Sequence, residues 1–142
     1  MNKEAIYDIR QFNRFYTKVL GLFNQQILDT DYSLTEARIL FEIRERTECI
    51  ANNLVQELTI DRSYMSRILR KLEKEGLIEK KSSKIDNRKN FLFLTKKGEN
   101  LLNKINIQSD KHINQLFNRL TDSEINEIRI SMKIIQEKLD KN

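Results

Sequence analysis

Ile6, Ile9, Phe12, Tyr16, Val19, Phe23 and Ile27 recur at steps of three and four residues, and Phe15 widens the stripe. This spacing predicts one long amphipathic helix over about 3–28. The polar run Asp29-Thr30-Asp31-Tyr32 ends it. Ser33-Leu34-Thr35-Glu36 then has the pattern of a capping box, in which a serine oxygen and a glutamate each satisfy a free N–H of a starting helix. A second helix is therefore expected over about 34–45. After the polar turn Arg46-Thr47-Glu48, a short helix over about 50–58 turns Leu54, Val55 and Leu58 inward, and Thr59-Ile60 makes a tight turn. Asp61 is placed to cap the next helix, whose Met65, Ile68, Leu69 and Leu72 form an apolar stripe and whose end falls at Gly76, a natural left-handed residue.

Beyond Gly76 the period changes. Leu77-Ile78-Glu79-Lys80-Lys81 and Phe91-Leu92-Phe93-Leu94 are the only two plausible strands, and the polar stretch between them makes a hairpin with a long basic tip. Thr95 can cap a following helix that carries Leu101, Leu102, Ile105, Ile113, Leu116 and Phe117. Thr121-Asp122-Ser123-Glu124 repeats the capping-box pattern ahead of Ile125, Ile128, Met132, Ile135 and Leu139. The expected order is four helices, a hairpin and two helices, a mainly α fold with a small β-hairpin wing.

Composition sharpens this picture. The chain has no proline and only Gly21, Gly76 and Gly98 as glycines, so long helices joined by short turns are expected. At 142 residues and 39% hydrophobic content there is enough for one domain and too little for two ordinary ones, so 1–142 is read as a single domain. The first residues contain acids and no unbroken apolar run, and no segment is long enough to span a bilayer. A cytoplasmic protein without membrane contact is expected. Cys49 is the single cysteine and cannot form an intrachain disulfide.

Charge adds a location. The net charge is +5, but residues 61–97 hold 12 Lys/Arg against 5 Asp/Glu, while the rest of the chain holds 14 against 16. A basic element on an otherwise acidic body suits a surface that meets phosphates. Two short helices with a tight turn, the second apolar inside and polar outside, describe a helix-turn-helix. Its outer face carries Arg62, Ser63, Tyr64, Ser66, Arg67, Arg70, Lys71 and Lys74. Hydroxyls and forked guanidiniums suit base edges in a major groove, and lysines farther along can neutralise phosphates. A basic helix alone is as often a solvated face. The hairpin shifts that balance with a second cluster of Lys80, Lys81, Lys84, Arg88 and Lys89, where an arginine would gain from the negative potential of a minor groove. Asp86, two residues before Arg88, is expected to hold that guanidinium in one orientation; a plain turn-forming role is the alternative.

The run Ser33-Leu34-Thr35-Glu36-Ala37-Arg38-Ile39-Leu40, the stretch DRSYMSRILRKLEKEGLI over 61–78, and Asp86-Asn87-Arg88-Lys89 leading to Leu94-Thr95 resemble regulators of the MarR family. Arg10-Gln11-Phe12-Asn13-Arg14-Phe15-Tyr16 and Tyr64-Met65-Ser66-Arg67 are similar to the regulator half of family proteins fused to a GNAT acetyltransferase. The resemblance implies a winged helix-turn-helix over about 33–97, with about 1–30 and 98–142 as dimerisation helices. It also implies a homodimer that reads a roughly palindromic double-stranded DNA site, usually as a repressor that a small-molecule effector releases. Thr59 departs from the family pattern, in which a glycine is common at that turn.

Other readings are weaker. Cys49 lacks a second cysteine and an obvious basic neighbour, so a small buried residue is expected rather than a redox sensor. His112 is the only histidine, and neither a zinc site nor a catalytic triad is suggested. The aromatic set Phe12, Phe15, Tyr16 and Phe23 could line an effector pocket, with core or dimer packing as the default. There is no phosphate-cradling glycine loop, metal-ligand cluster or nucleophile motif, so an enzyme is not expected, no metal or cofactor is called for, and no catalytic residue is assigned. The remaining alternatives are a winged helix that binds an acidic protein and the separated regulatory half of a GNAT acetyltransferase.

Overall fold

The computed structural model describes residues 1–27, 30–86 and 88–141, with the backbone alone over 22–27. Phe23 and Ile27 of the first stripe, Asp29 of the break, and Asn87 of the hairpin lie outside the described side chains. The elements run α1 (Lys3–Ile27), α2 (Leu34–Glu45), α3 (Ala51–Leu58), α4 (Arg62–Lys74), β1 (Ile78–Ser82), β2 (Asn90–Leu94), α5 (Lys96–Phe117) and α6 (Asp122–Leu139). This is the predicted order. The chain forms two compact units, Met1–Ser109 and Asp110–Asn142, and the division falls within α5.

Helix ends are where the local chemistry is most explicit. Ser33 Oγ accepts from the Glu36 N–H at 3.1 Å while Glu36 Oε1 accepts from the Ser33 N–H, also at 3.1 Å. Thr121 and Glu124 repeat the arrangement at the start of α6. Asp61 Oδ2 accepts from the N–H groups of Ser63 and Tyr64 at 3.0 and 3.2 Å, so one carboxylate satisfies two orphan donors of α4. At the other end of α4, Gly76 has φ +74°, the Leu77 N–H donates to the Leu72 carbonyl, and the Gly76 N–H donates to the Glu73 carbonyl. That is a Schellman closure, with Leu72 and Leu77 both buried beneath it.

The core of the first unit joins Ile39, Leu40 and Ile43 of α2, Leu54 of α3, the stripe Met65, Ile68, Leu69 and Leu72 of α4, Leu77, Ile78 and Leu92 of the hairpin, and Leu102 of α5. The antiparallel pair β1–β2 runs from Ile78 opposite Leu94 to Ser82 opposite Asn90. Cys49, fully buried, extends this small sheet: its carbonyl accepts from the Leu92 N–H at 2.8 Å, an isolated bridge that the apolar pattern did not announce. Burial pushes the thiol upward from its ordinary pKa, which suits a packing role and not a reactive thiolate.

Two close approaches hold the end of α4 to the start of α5. Thr95 Oγ1 donates to the Gly76 carbonyl at 2.6 Å and accepts from the Gly98 N–H at 3.1 Å, so it caps α5 while tying it to the α4 terminus. A Cβ at Gly98 would overlap the Leu77 carbonyl oxygen, so this position admits only hydrogen.

The terminal helices contrast with this packing. No described residue of α1 is buried, and Tyr7, Ile9, Phe12, Phe15 and Leu20 are exposed. Phe12 and Tyr16 stack on each other at 5.6 Å along its surface. In the second unit α6 has no buried residue, and Ile130, Met132, Ile134, Ile135 and Leu139 are exposed. His112 of α5 is buried. Among the described residues no helix is long and apolar enough to cross a membrane.

Candidate nucleic-acid interface

Helix α3 and helix α4 meet through a turn in which Thr59 adopts φ 51°, ψ 47°. This left-handed conformation is the one a glycine takes without strain, and a β-branched residue takes it at a cost of about 1–2 kcal/mol. The Thr59 N–H donates to the Val55 carbonyl, and the Ile60 N–H donates to the same carbonyl at 3.3 Å. The departure from the glycine pattern is thus accommodated by the geometry, with strain as the consequence. At the start of α3, Asn53 Oδ1 accepts from the Ile50 N–H at 2.9 Å.

With the inner stripe of α4 buried, its opposite face projects Arg62, Ser63, Tyr64, Ser66, Arg67, Arg70, Lys71 and Lys74 into solvent. Arg62 is braced by α3, donating to Asn52 Oδ1 at 3.1 Å. The Arg67 guanidinium lies over the Tyr64 ring at 5.7 Å from its centroid, a contact that limits its rotamers. Arg67, Arg70, Lys71, Lys74 and Glu75 line an open concavity along this face.

Lys71 differs from its neighbours. Its ammonium donates to Glu36 Oε2 at 2.9 Å and lies 5.5 Å from the centroid of Tyr32. The ion pair raises the Lys71 pKa. Burial pushes Glu36 upward, but the hydrogen bonds from Lys71 and Ser33 outweigh it and hold the carboxyl below its usual range. Tyr32 is pushed up to about 12, by burial first and by the adjacent Glu75 carboxylate second. Lys71 therefore ties α4 to α2, a role its sequence position did not disclose.

The wing tip has its own internal order. Ser83, buried though polar, uses Oγ to accept from the N–H groups of Ile85 and Asp86 at 3.2 and 3.3 Å, and its N–H donates to the Lys89 carbonyl at 2.9 Å. Asp86 Oδ1 accepts from the Arg88 backbone N–H at 3.0 Å. Asp86 thus acts here as the turn-former of the alternative reading, and among the described residues no ion pair joins its carboxylate to the Arg88 guanidinium. Lys84, Arg88 and Lys89 are exposed. Nearer the body, Lys80 pairs with Glu73 at 3.4 Å, and Lys81 pairs with Glu79 at 3.5 Å and lies over Phe93.

The ion pairs thus divide the cations into two groups. Lys71, Lys80 and Lys81 are neutralised by acids of the same fold. Among the described residues, no ion pair engages Arg67, Arg70, Lys74, Lys84, Arg88 or Lys89. Sequence reasoning found these positions but missed Asn52, which braces Arg62, and Ser83, which builds the tip. A serine two and three residues ahead of the turn N–H groups was a usable signal for the latter.

Residues 32–89 match the model of the MarR family. The transcriptional regulator BilQ of Clostridioides difficile is 28% identical over 98 residues, which cover 69% of this chain and 66% of that protein. MgrA of Staphylococcus aureus is 28% identical over 103 residues, covering 72% of this chain and 65% of MgrA. The matched stretch is thus slightly less than two thirds of either relative. A cysteine-to-serine mutant of MarR from E. coli, solved in complex with operator DNA, superposes with a TM-score of 0.74 at 21% identity, covering 93% of this chain and 95% of that one. The chain is thus similar to MarR-family regulators over residues 32–89, and its fold is the winged helix seen in the E. coli MarR structure.

Proposed function

We propose that this chain binds double-stranded DNA sequence-specifically, as a homodimer that represses transcription until a small-molecule effector releases it. The observation that carries the DNA reading is the set of exposed cations on two consecutive elements that no ion pair among the described residues engages, Arg67, Arg70 and Lys74 on α4 and Lys84, Arg88 and Lys89 on the wing. Phosphates are the natural counter-charge for such a surface. In this reading α4 lies in a major groove, Arg67 and Arg62 with Ser63, Tyr64 and Ser66 face base edges, Arg70 and Lys74 meet phosphates, and Arg88 enters the adjoining minor groove. Asp86 serves the site by shaping the turn that presents Arg88. Lys71 contributes by fixing α4.

The homodimer is supported by the uncovered apolar residues of α1 and α6, since stripes of that size seldom face water in an isolated subunit. Two heads related by a two-fold axis would read an inverted repeat. Repression and effector release are what the resemblance to the MarR family implies. Selection of duplexes from a randomised pool at near-physiological salt tests the reading: enrichment of an inverted repeat is expected. Recovery of unselected sequence only would remove specificity, and the absence of any duplex binding would remove the reading.

A further inference from the structure

Ile85 is 99% exposed at the apex of the wing. A single aliphatic residue on a protein surface is ordinary. This one is distinguished by its setting. It follows Lys84 and precedes Arg88 and Lys89, all exposed and free of ion pairs among the described residues. Its position is also imposed by the loop. The Ile85 N–H is turned inward onto the buried Ser83 hydroxyl, the Ser83 N–H closes onto the Lys89 carbonyl, and the Lys89 N–H donates to the Asp86 carbonyl at 3.0 Å. The backbone is thus occupied on the inner side, and the isoleucine side chain is left to solvent on a loop that five local hydrogen bonds of Ser83 and Asp86 hold in shape.

We infer that Ile85 is a minor-groove contact residue, packing against the deoxyribose walls beside Arg88. Its role presupposes the DNA contact proposed above for the wing. The chemistry is complementary within a few ångströms of chain: cations hold the tip at the phosphates, while the walls between them are C–H surface that a branched aliphatic side chain desolvates on contact. A minor groove is about 6 Å wide, and an isoleucine fits it only where no guanine amino group rises from the floor. Ile85 therefore adds a preference for A·T pairs at the flanks of the site, read by shape and not by hydrogen bonds. Burying such a side chain leaves the number of neutralised phosphates unchanged.

That last property separates Ile85 from its neighbours experimentally. Duplexes drawn from a randomised pool by the unaltered protein are titrated with Ile85→Ala, Ile85→Leu and the unaltered protein over a series of salt concentrations. Ile85→Ala is expected to bind about three- to tenfold more weakly, with the same slope of log affinity against log salt. Ile85→Leu is expected to restore most of the loss. Inosine in place of flanking guanine, which deletes the amino group from the groove floor, should strengthen binding by the unaltered protein more than by Ile85→Ala. Equal affinity of Ile85→Ala and the unaltered protein overturns the assignment. A loss accompanied by a flatter salt slope also overturns it, because that marks displaced wing cations instead of a lost apolar contact. If the unaltered protein binds no duplex from the pool, the DNA reading itself falls, and the role of Ile85 with it.

Discussion

Helices α4 and α6 are both amphipathic, yet α4 buries Met65, Ile68, Leu69 and Leu72 whereas α6 buries none of its apolar residues. Helix α1 sides with α6: its described side chains are at most half-buried, and Phe15 remains 63% exposed. The centre of the chain covers its apolar stripes with itself, and the ends do not. Periodicity in a sequence identifies a helix with an apolar face, but it does not say which chain covers that face. Here the difference divides the molecule into a self-sufficient winged helix in the middle and terminal helices whose apolar residues are left uncovered.

The largest effects should follow from attacking the centre. Leu40 is fully buried, and Leu40→Ala is expected to lower stability by about 2–5 kcal/mol in urea denaturation. Ile135→Ala, on an exposed position of α6, should change it by no more than about 0.5 kcal/mol in dilute solution, where a dimer dissociates, while weakening self-association in sedimentation experiments. A loss for Ile135→Ala that equals that of Leu40→Ala at every protein concentration would erase the contrast.

Next in size is Gly98→Ala, expected to destabilise by about 1–3 kcal/mol because its methyl group must displace the Leu77 backbone. Normal stability of that variant would show that the junction of α4, wing and α5 yields more easily than its close packing implies. Thr59→Gly should act in the opposite direction, raising the denaturation midpoint by relieving about 1 kcal/mol of left-handed strain. No gain there would mean that the flexibility of glycine in the unfolded chain offsets the relief.

The smallest effect concerns pH. Glu36 titrates below its ordinary range in the folded chain, so its contribution is present above its ordinary value of 4.5 and is lost as pH falls through the lowered pKa. Tyr32 behaves in the opposite sense: its neutral form is favoured, so its contribution is present below pH 10.0 and is lost as pH rises toward about 12. Alkaline titration of phenolate absorbance should therefore find Tyr32 ionising late, and Tyr32→Phe should remove that late component. Glu36→Gln should flatten the acid limb of the stability curve. An unchanged acid limb would mean that the Lys71–Glu36 link adds nothing to the attachment of α4.

Much of this architecture was legible in the sequence because it is local. Both capping boxes, the Asp61 cap and the Gly76 terminator depend on residues two to five apart, and the helices and hairpin follow from the apolar period. Apart from the local Ser83 turn, what escaped depends on groups distant in the chain. The Cys49–Leu92 bridge, the Lys71–Glu36 pair and the contact of Gly98 with Leu77 appear only once the chain has folded. The wing illustrates the boundary between the two cases. Its basic residues could be read off directly, but the choice of Asp86 for the Arg88 backbone over its guanidinium could not, because the same spacing permits both. The strained turn at Thr59 was marked by residue type, and its conformation was settled by the closing of α3 onto α4.

Contact between DNA and the cations of α4 and the wing underlies the proposed function. It is tested most directly by duplex affinity as a function of salt, for the unaltered protein, Arg67→Ala and Arg88→Ala. Log affinity is expected to fall linearly with log salt, by about 0.9 per phosphate neutralised. Arg88→Ala should flatten that slope, while Arg67→Ala should reduce the preference for selected over random sequence. Affinity indifferent to salt, with selectivity untouched by Arg67→Ala, would contradict it.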